Sequence, residues 1–327
     1  MTAPDILSQF DQLSAHLNRA RDTLSQVIFG QDKVLTLSMA TLVAGGHGLL
    51  VGAPGVAKTL LVNTVAHTLG LSAKRVQFTP DLMPGDILGS EVLEEGSDGT
   101  RAFRFIAGPI FCQLLMADEI NRASPRTQSA LLQAMQERFV TVAGERHDLP
   151  HPFHVLATQN PIEQEGTYPL PEAQLDSFLM QIDVPFPDLE AERRMLAETT
   201  GTNQTLPEPA LTPAQLQDAQ RLVRAMPIGA SIAEMILTLV RAARPGPAAS
   251  DRVNALVAWG PGPRASQALS LCVRALALLD GRPAPSPDDV RTLAGPVLKH
   301  RMALTFAARA ENVSVDGFIE DLCDTHL

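Results

Sequence analysis

Leu49-Leu50-Val51-Gly52-Ala53-Pro54-Gly55-Val56-Ala57-Lys58-Thr59 is the stretch that decides the fold. A short continuous apolar run enters a glycine-rich turn, and the turn leads into a helix that the pattern starts at Lys58. The spacing is close to G-x-x-x-x-G-K-[ST], with Ala57 where a second glycine is usual. Such a loop turns its backbone N–H groups inward, and the helix N-terminus behind it adds partial positive charge, so phosphates are held there. Gly52, Ala53, Pro54, Gly55, Val56 and Ala57 are therefore candidate phosphate-cradling residues. Lys58 is placed to reach the β- and γ-phosphates of a nucleotide, and Thr59 to put its hydroxyl on Mg2+. Ala57 is a mild departure, since its position is expected to be turning helical and alanine suits a helix.

Similar buried runs recur outward from this motif, at Arg75–Phe78, Leu114–Ala117, His154–Ala157 and Leu179–Val184. Helical stretches separate most of them, a pattern that reads as an α/β body with a parallel sheet covered on both faces. Upstream, apolar residues three to four apart predict a helix over Ile6–Ile28, and a second helix over Gln31–Val43 ends at Gly45-Gly46. Two segments break the alternation, Glu91–Phe105 and Phe139–Leu149, and both read as inserted β-hairpins. After Pro185-Phe186-Pro187 strand signals fade. Asp188–Thr199, Thr212–Met226, Ala230–Ala243, Ala265–Leu279 and Ser286–Ala308 have helical periodicity, with Pro213 and Pro287 in first turns behind Thr212 and Ser286 as N-caps. These patterns divide the chain into an α/β nucleotide-binding core over 1–187 and an all-helical domain over 188–327.

Leu114-Leu115-Met116-Ala117 runs into Asp118-Glu119. An apolar strand ending in adjacent carboxylates fits Asp118 as a Mg2+ ligand and Glu119 as the group that polarises a water for attack on a γ-phosphate. Two such acids repel one another unless a cation or separate partners serve each. Thr158-Gln159-Asn160-Pro161 ends the next run, and Asn160 is placed to orient the attacking water.

Composition narrows the field. The chain has 327 residues, a formal net charge of -10, one Trp and one Tyr. Neither a basic body that binds nucleic acid by counterion release nor an aromatic base-stacking platform is present, so a nucleic-acid partner is disfavoured. No apolar run reaches the ~18 residues of a membrane span. The first residues carry no secretory pattern, and Cys112, Cys272 and Cys323 are scattered singly, which fits a reducing, cytoplasmic setting. His147, His151 and His154 lie close in sequence, but Pro150 and Pro152 exclude a helix that would align them, and they read as loop and hairpin residues rather than a metal site.

Three runs carry a resemblance: Asp118–Ala123, Arg126–Leu132, and the unbroken Ala157–Asp176. Together they resemble the MoxR family of AAA+ ATPases, and the likeness extends over about Phe29 to Arg301. It implies an AAA+ P-loop core followed by a helical lid, ATP and Mg2+ as ligands, with ATP between core and lid, and assembly as a homo-oligomeric ring, usually a hexamer. It implies that Gly30 and Gln31 lie on the adenine side, that Asn160 is the first sensor, and that Arg264 is the lid arginine touching the γ-phosphate. An arginine at a helix N-terminus opposes the dipole preference, which agrees with an anion nearby. The two hairpins resemble inserts that face the ring's pore. The family is associated with chaperone-like remodelling, metal-cofactor insertion and partners bearing a von Willebrand A domain.

One position departs. Family members usually read Leu-Asp-Arg-Phe where this chain reads Leu175-Asp176-Ser177-Phe178, and that arginine is the finger reaching a neighbour's ATP. Loss of such a finger costs on the order of 10³–10⁵ in turnover. Arg122 or Arg126 can substitute, a partner can supply the arginine, or the ring can be a nucleotide-gated scaffold with little hydrolysis.

Overall fold

The computed structural model describes residues 3–95, 101–162, 166–199 and 208–327. Five short strands form one parallel sheet: β1 (Gly48–Val51), β2 (Ala73–Gln77), and the later β5 (Leu114–Asp118), β8 (His154–Gln159) and β9 (Met180–Asp183), in the order β2-β5-β8-β1-β9. Each lies on one of the five apolar runs of the sequence. Alternate side chains go to opposite faces, as the two-residue period of a strand requires. Leu50, Leu114, Met116, Leu156, Met180 and Ile182 enter one core, while Leu49, Leu115, Ala117, Val155 and Ala157 enter the other.

The two cores differ in reach. The smaller is closed by Leu131 and Met135 of helix Pro125–Glu137 and by Ile87 of the short helix Pro84–Leu88. The larger takes Leu17 and Leu24 from helix Ala3–Ser25, Leu35 and Leu42 from Asp32–Val43, and Leu61 and Val65 from Lys58–Thr68. It continues without a break into Leu216, Leu239, Leu276 and Leu293 of the C-terminal helices. Those helices include Leu189–Thr199, Pro213–Ala225, Ala230–Ala242, Pro263–Leu279, Pro287–Leu298 and Val315–His326. Thr212 caps as the sequence suggests: its Oγ1 accepts from the Gln215 N–H at 3.3 Å, and Gln215 returns an acceptor to the Thr212 N–H at 2.8 Å.

Both hairpins are present. Strands β3 (Gly89–Glu95) and β4 (Arg101–Ala107) pair antiparallel, as do β6 (Phe139–Val142) and β7 (Glu145–Asp148). The Gly96–Gly99 turn expected between β3 and β4 lies outside the described residues. The first hairpin shows Leu93, Phe103 and Ile106 to solvent.

The C-terminal region differs from an all-helical domain in two respects. Strands β10 (Val257–Trp259) and β11 (Ala303–Leu304) form a small antiparallel pair. The stretch read as one helix over Ser286–Ala308 ends at Leu298, passes through a single tight turn at Lys299–Arg301, and resumes as a helix only at Phe306. Its periodicity survives because Leu298, Met302 and Leu304 all still point into the core. Among the described residues no single helix is long and apolar enough to cross a membrane.

Candidate active site

β1, β5 and β8 run in parallel, so their C-terminal ends deliver Gly52, Asp118-Glu119 and Asn160 to one edge of the sheet. The turn after β1 is built by backbone demands. Gly55 has φ +83°, a conformation open to glycine. Gly52 is required by crowding, since a Cβ there would stand 2.6 Å from the Val184 carbonyl oxygen at the end of β9. Lys58 Nζ lies inside the loop and donates to the carbonyls of Gly52 at 2.5 Å and Ala53 at 3.1 Å. Ala57 is not turning helical: it caps the Lys58–Thr68 helix at φ 60°, ψ 24°, in the left-handed region. The glycine usual there would avoid a strain of about 1–2 kcal/mol that a Cβ adds, so the substitution is a cost rather than a helix preference.

The two carboxylates have separate partners. Asp118 is 8% exposed; its Oδ2 accepts from Arg75 Nη2 at 2.5 Å and Nε at 3.1 Å, and its Oδ1 accepts from Thr158 Oγ1 at 2.6 Å. Glu119 has left the strand, at φ 57°. Its N–H donates to the same Thr158 oxygen at 2.8 Å, and its Oε2 accepts from Gln77 Nε2 at 2.8 Å and Arg122 Nη1 at 3.1 Å. Arg75 closes the circuit on Gln77 at 2.7 Å. Arg75, Gln77 and Thr158 are thus site residues that the sequence reading left unassigned. The signal was Arg75 and Gln77, two positions apart on one face of the strand beside β5.

Asn160 is 4% exposed; its Oδ1 accepts from the Ile162 N–H at 3.1 Å and its Nδ2 has no partner. A buried donor left open is costly unless something completes it. Asn160 lines a 320 Å³ pocket together with Pro54, Gly55, Ala57, Lys58, Thr59, Asp118 and Glu119. Beside it a 30 Å³ apolar slot is lined by Phe29, Gln31, Val56, Leu60, Pro187 and Met195 among others. Gln31 donates to the Val56 carbonyl at 3.2 Å, and its buried Oε1 is open. Gly30 lies outside that slot; it has φ +68° and abuts Ala191, and it lines a separate cavity with Gln31.

Arg264 is not brought to this pocket. It sits 65% exposed in the first turn of helix Pro263–Leu279, with Nη1 3.5 Å from Asp176 Oδ2. Asp176 precedes β9 and also accepts from the buried Arg301 at 2.7 Å. That is the N-terminal edge of the sheet, whereas the pocket is at the C-terminal edge; the four residues of β9 alone separate the edges by about 13 Å. No described residue of 208–327 lines the pocket, while Met195 of helix Leu189–Thr199 lines the adjoining slot. Ser177 stands beside Asp176 and accepts from Gln136 Nε2 at 2.7 Å. Of the two arginines that could replace a finger, Arg122 is spent on its own Glu119, while Arg126 is exposed at the start of helix Pro125–Glu137. His147 stacks on Phe105 and His154 is buried at the start of β8.

Comparison with known proteins agrees with this geometry. Residues 47–180 match the ATPase family associated with various cellular activities (AAA), and residues 249–322 match the AAA lid domain. Chaperone MoxR1 of Mycobacterium tuberculosis is 40% identical over 310 residues, covering 94% of this chain and 81% of its own. Protein YeaC of Bacillus subtilis is 40% identical, covering 95% and 94%, and protein MoxR of Paracoccus denitrificans is 31% identical, covering 91% of each chain. A crystal structure from Cytophaga hutchinsonii, assigned as an ATPase, superposes with TM-score 0.90 at 34% identity over 98% of this chain and 96% of that one. With a glycine-rich loop, paired acids and an unpartnered buried amide at one sheet edge, and with relatives covered over 81% and 91% of their own lengths, the chain belongs to the MoxR family of AAA+ ATPases.

Proposed function

We propose that this ATPase, whose relatives mark a chaperone-like role, uses Mg2+ and ATP at the 320 Å³ pocket to remodel, or insert a cofactor into, a protein client in the cytoplasm, with a von Willebrand A domain protein as partner. The observation that carries the reading is the convergence of Lys58, Thr59, Asp118, Glu119 and Asn160 on one pocket. Lys58 would exchange its two loop carbonyls for phosphate oxygens. Asn160 Nδ2, buried and without a partner in a residue that lines the pocket, suits the γ-phosphate or the attacking water. Gln77 and Arg122 hold the Glu119 carboxylate in place to accept that water's proton. The Thr59 hydroxyl and Asp118 would hold the metal, which supplies charge neutralisation on the β- and γ-phosphates. Both Asp118 oxygens already have partners, so the contact runs through water or displaces the half-exposed Arg75. On the base side, Gln31 offers its open Oε1 to an adenine amino group.

The ring, in its usual hexameric form, fits the arginine placement. Arg264 cannot serve its own pocket, yet it stands beside Ser177, the position from which the family reaches a neighbour. We assign it to the adjoining subunit's γ-phosphate. The division proposed is a nucleotide-binding core over 1–187 and a lid over 188–327.

Phosphate release is measured for wild type, Glu119→Gln and Lys58→Ala. Glu119→Gln should bind ATP and lose turnover, and Lys58→Ala should lose binding; equal rates in all three discard the assignment. Mixing inactive Lys58→Ala with inactive Arg264→Ala subunits should restore part of the rate, because some interfaces regain both residues. No recovery from a mixed ring removes Arg264 from the neighbour's site. The second reading, a gated scaffold with little hydrolysis, rests on Ser177; it is favoured if ATP drives assembly while turnover stays negligible.

A further inference from the structure

At the opposite edge of the sheet from the P-loop lies a 210 Å³ pocket lined by Arg138, His151, His154, Gln220, Arg221 and Arg224, with Gly45, Pro152, Phe153 and Gln217 completing it. We propose that this pocket binds a small phosphate-class oxyanion, and that the anion ties helix Pro213–Ala225 to the N-terminal edge of the sheet. The inference is independent of the nucleotide reading.

The first ground is charge. The chain has 36 Asp and Glu against 26 Lys and Arg, yet no carboxylate lines this pocket while three arginines do. Arg221 is paired with Asp218, but among the described residues Arg138 and Arg224 have no ion-pair partner. Arg138 and Arg224 sit at the C-terminal ends of helices Pro125–Glu137 and Pro213–Ala225. Those ends contribute about half a negative charge each. With Asp218 counted, the cluster keeps about one positive charge in excess, which an oxyanion would meet.

The second ground is a floor that carries no negative charge. His154 is 1% exposed. Its Nδ1 donates to the Gly46 carbonyl at 2.8 Å, and its Nε2 accepts from Gln220 Nε2 at 3.0 Å. Gln220 also donates to the Leu42 carbonyl at 2.9 Å. The ring is thereby held neutral in one tautomer; burial, with Arg138 near, pushes its pKa down to about 4. No acidic group on the floor competes for the arginines. The planar guanidinium fork can donate to two oxygens of a phosphate at once. The volume holds such an anion with several waters, each about 30 Å³ in the liquid.

The third ground is location. Gln217, Gln220, Arg221 and Arg224 come from one helix, and Arg138, His151 and His154 come from the sheet edge and its neighbouring helix. An occupant therefore touches both.

The test is equilibrium dialysis of the full chain with inorganic phosphate, pyrophosphate and glycerol 3-phosphate, the P-loop filled with a non-hydrolysable ATP analogue. One saturable site per chain is expected, weakened at least tenfold in Arg138→Gln/Arg224→Gln and less in Arg224→Lys. Preference for the inorganic or the organic phosphate identifies the source of the anion. In the wild type, phosphate should slow amide exchange over 213–225; this measurement decides if the double variant fails to fold. Absence of a saturable site, unchanged affinity in the double variant, or unchanged exchange in the wild type overturns the proposal.

Discussion

Replacing Thr158 with valine tests whether one hydroxyl sets the catalytic geometry. Thr158 is fully buried, and its Oγ1 donates to Asp118 at 2.6 Å while accepting the Glu119 N–H at 2.8 Å. Valine keeps the shape and removes both bonds. A hydrogen bond to a charged group is worth about 1.5–3 kcal/mol, and an orphaned buried N–H costs about 1–3 kcal/mol. Asp118 retains Arg75, so the lower part of each range applies, and Thr158→Val should destabilise by about 2–4 kcal/mol. Thr158→Ser keeps the hydroxyl and deletes one buried methyl, about 1 kcal/mol. The functional loss is larger. Glu119 is held in a left-handed conformation that the N–H···Oγ1 bond secures. A displacement of 1 Å at a catalytic group costs about 10² in rate. Urea denaturation followed by circular dichroism reads the first effect, and steady-state phosphate release reads the second. Thr158→Val should lose about 10² in kcat with ATP affinity kept, and Thr158→Ser should keep most of its rate. If valine changes stability by less than about 0.5 kcal/mol and leaves kcat within a few-fold, the hydroxyl does not organise the acids.

Ala57→Gly should stabilise by about 0.5–1 kcal/mol, since the left-handed strain of about 1–2 kcal/mol exceeds the added unfolded-chain entropy of about 0.4–1 kcal/mol; a lower urea midpoint would contradict this. Gly52→Ala should cost about 1–3 kcal/mol by pushing its Cβ against the Val184 carbonyl, and calorimetry should find ATP binding weakened. His47 and His154 are buried and held neutral, with pKa values pushed down to about 3 and about 4 by desolvation. Each binds fewer protons folded than unfolded, so its contribution is whole above about pH 6.5 and drains as pH falls toward those values, at up to about 1.4 kcal/mol per pH unit each. Urea midpoints at pH 7.5, 6 and 5 should fall accordingly, and more shallowly in His154→Gln.

The architecture was legible where hydrophobic pattern alone decides it. The five strands, both hairpins and the capped helices follow from apolar runs, turn residues and Thr or Ser before Pro. The phosphate loop and the acids were legible because their chemistry requires fixed residues at fixed spacing. What escaped was set by tertiary geometry. Arg75 and Gln77 become site residues only because β2 lies beside β5 in register, Gln77 opposite Asp118. Ala57 takes its conformation from the turn, against its helix propensity. The break after Leu298 was hidden because core-facing residues continue through it. Arg264 was assigned by likeness to a pocket that the strand direction keeps it from reaching in its own chain.

The unbroken larger core has a mechanical consequence. Leu17, Leu35, Leu61, Leu216, Leu239 and Leu276 share one apolar interior, so the C-terminal helices are not a flap on a hinge. Swinging them away would strip oily surface bare on both sides. Movement of these helices against the sheet is therefore confined to a small slide of packed layers.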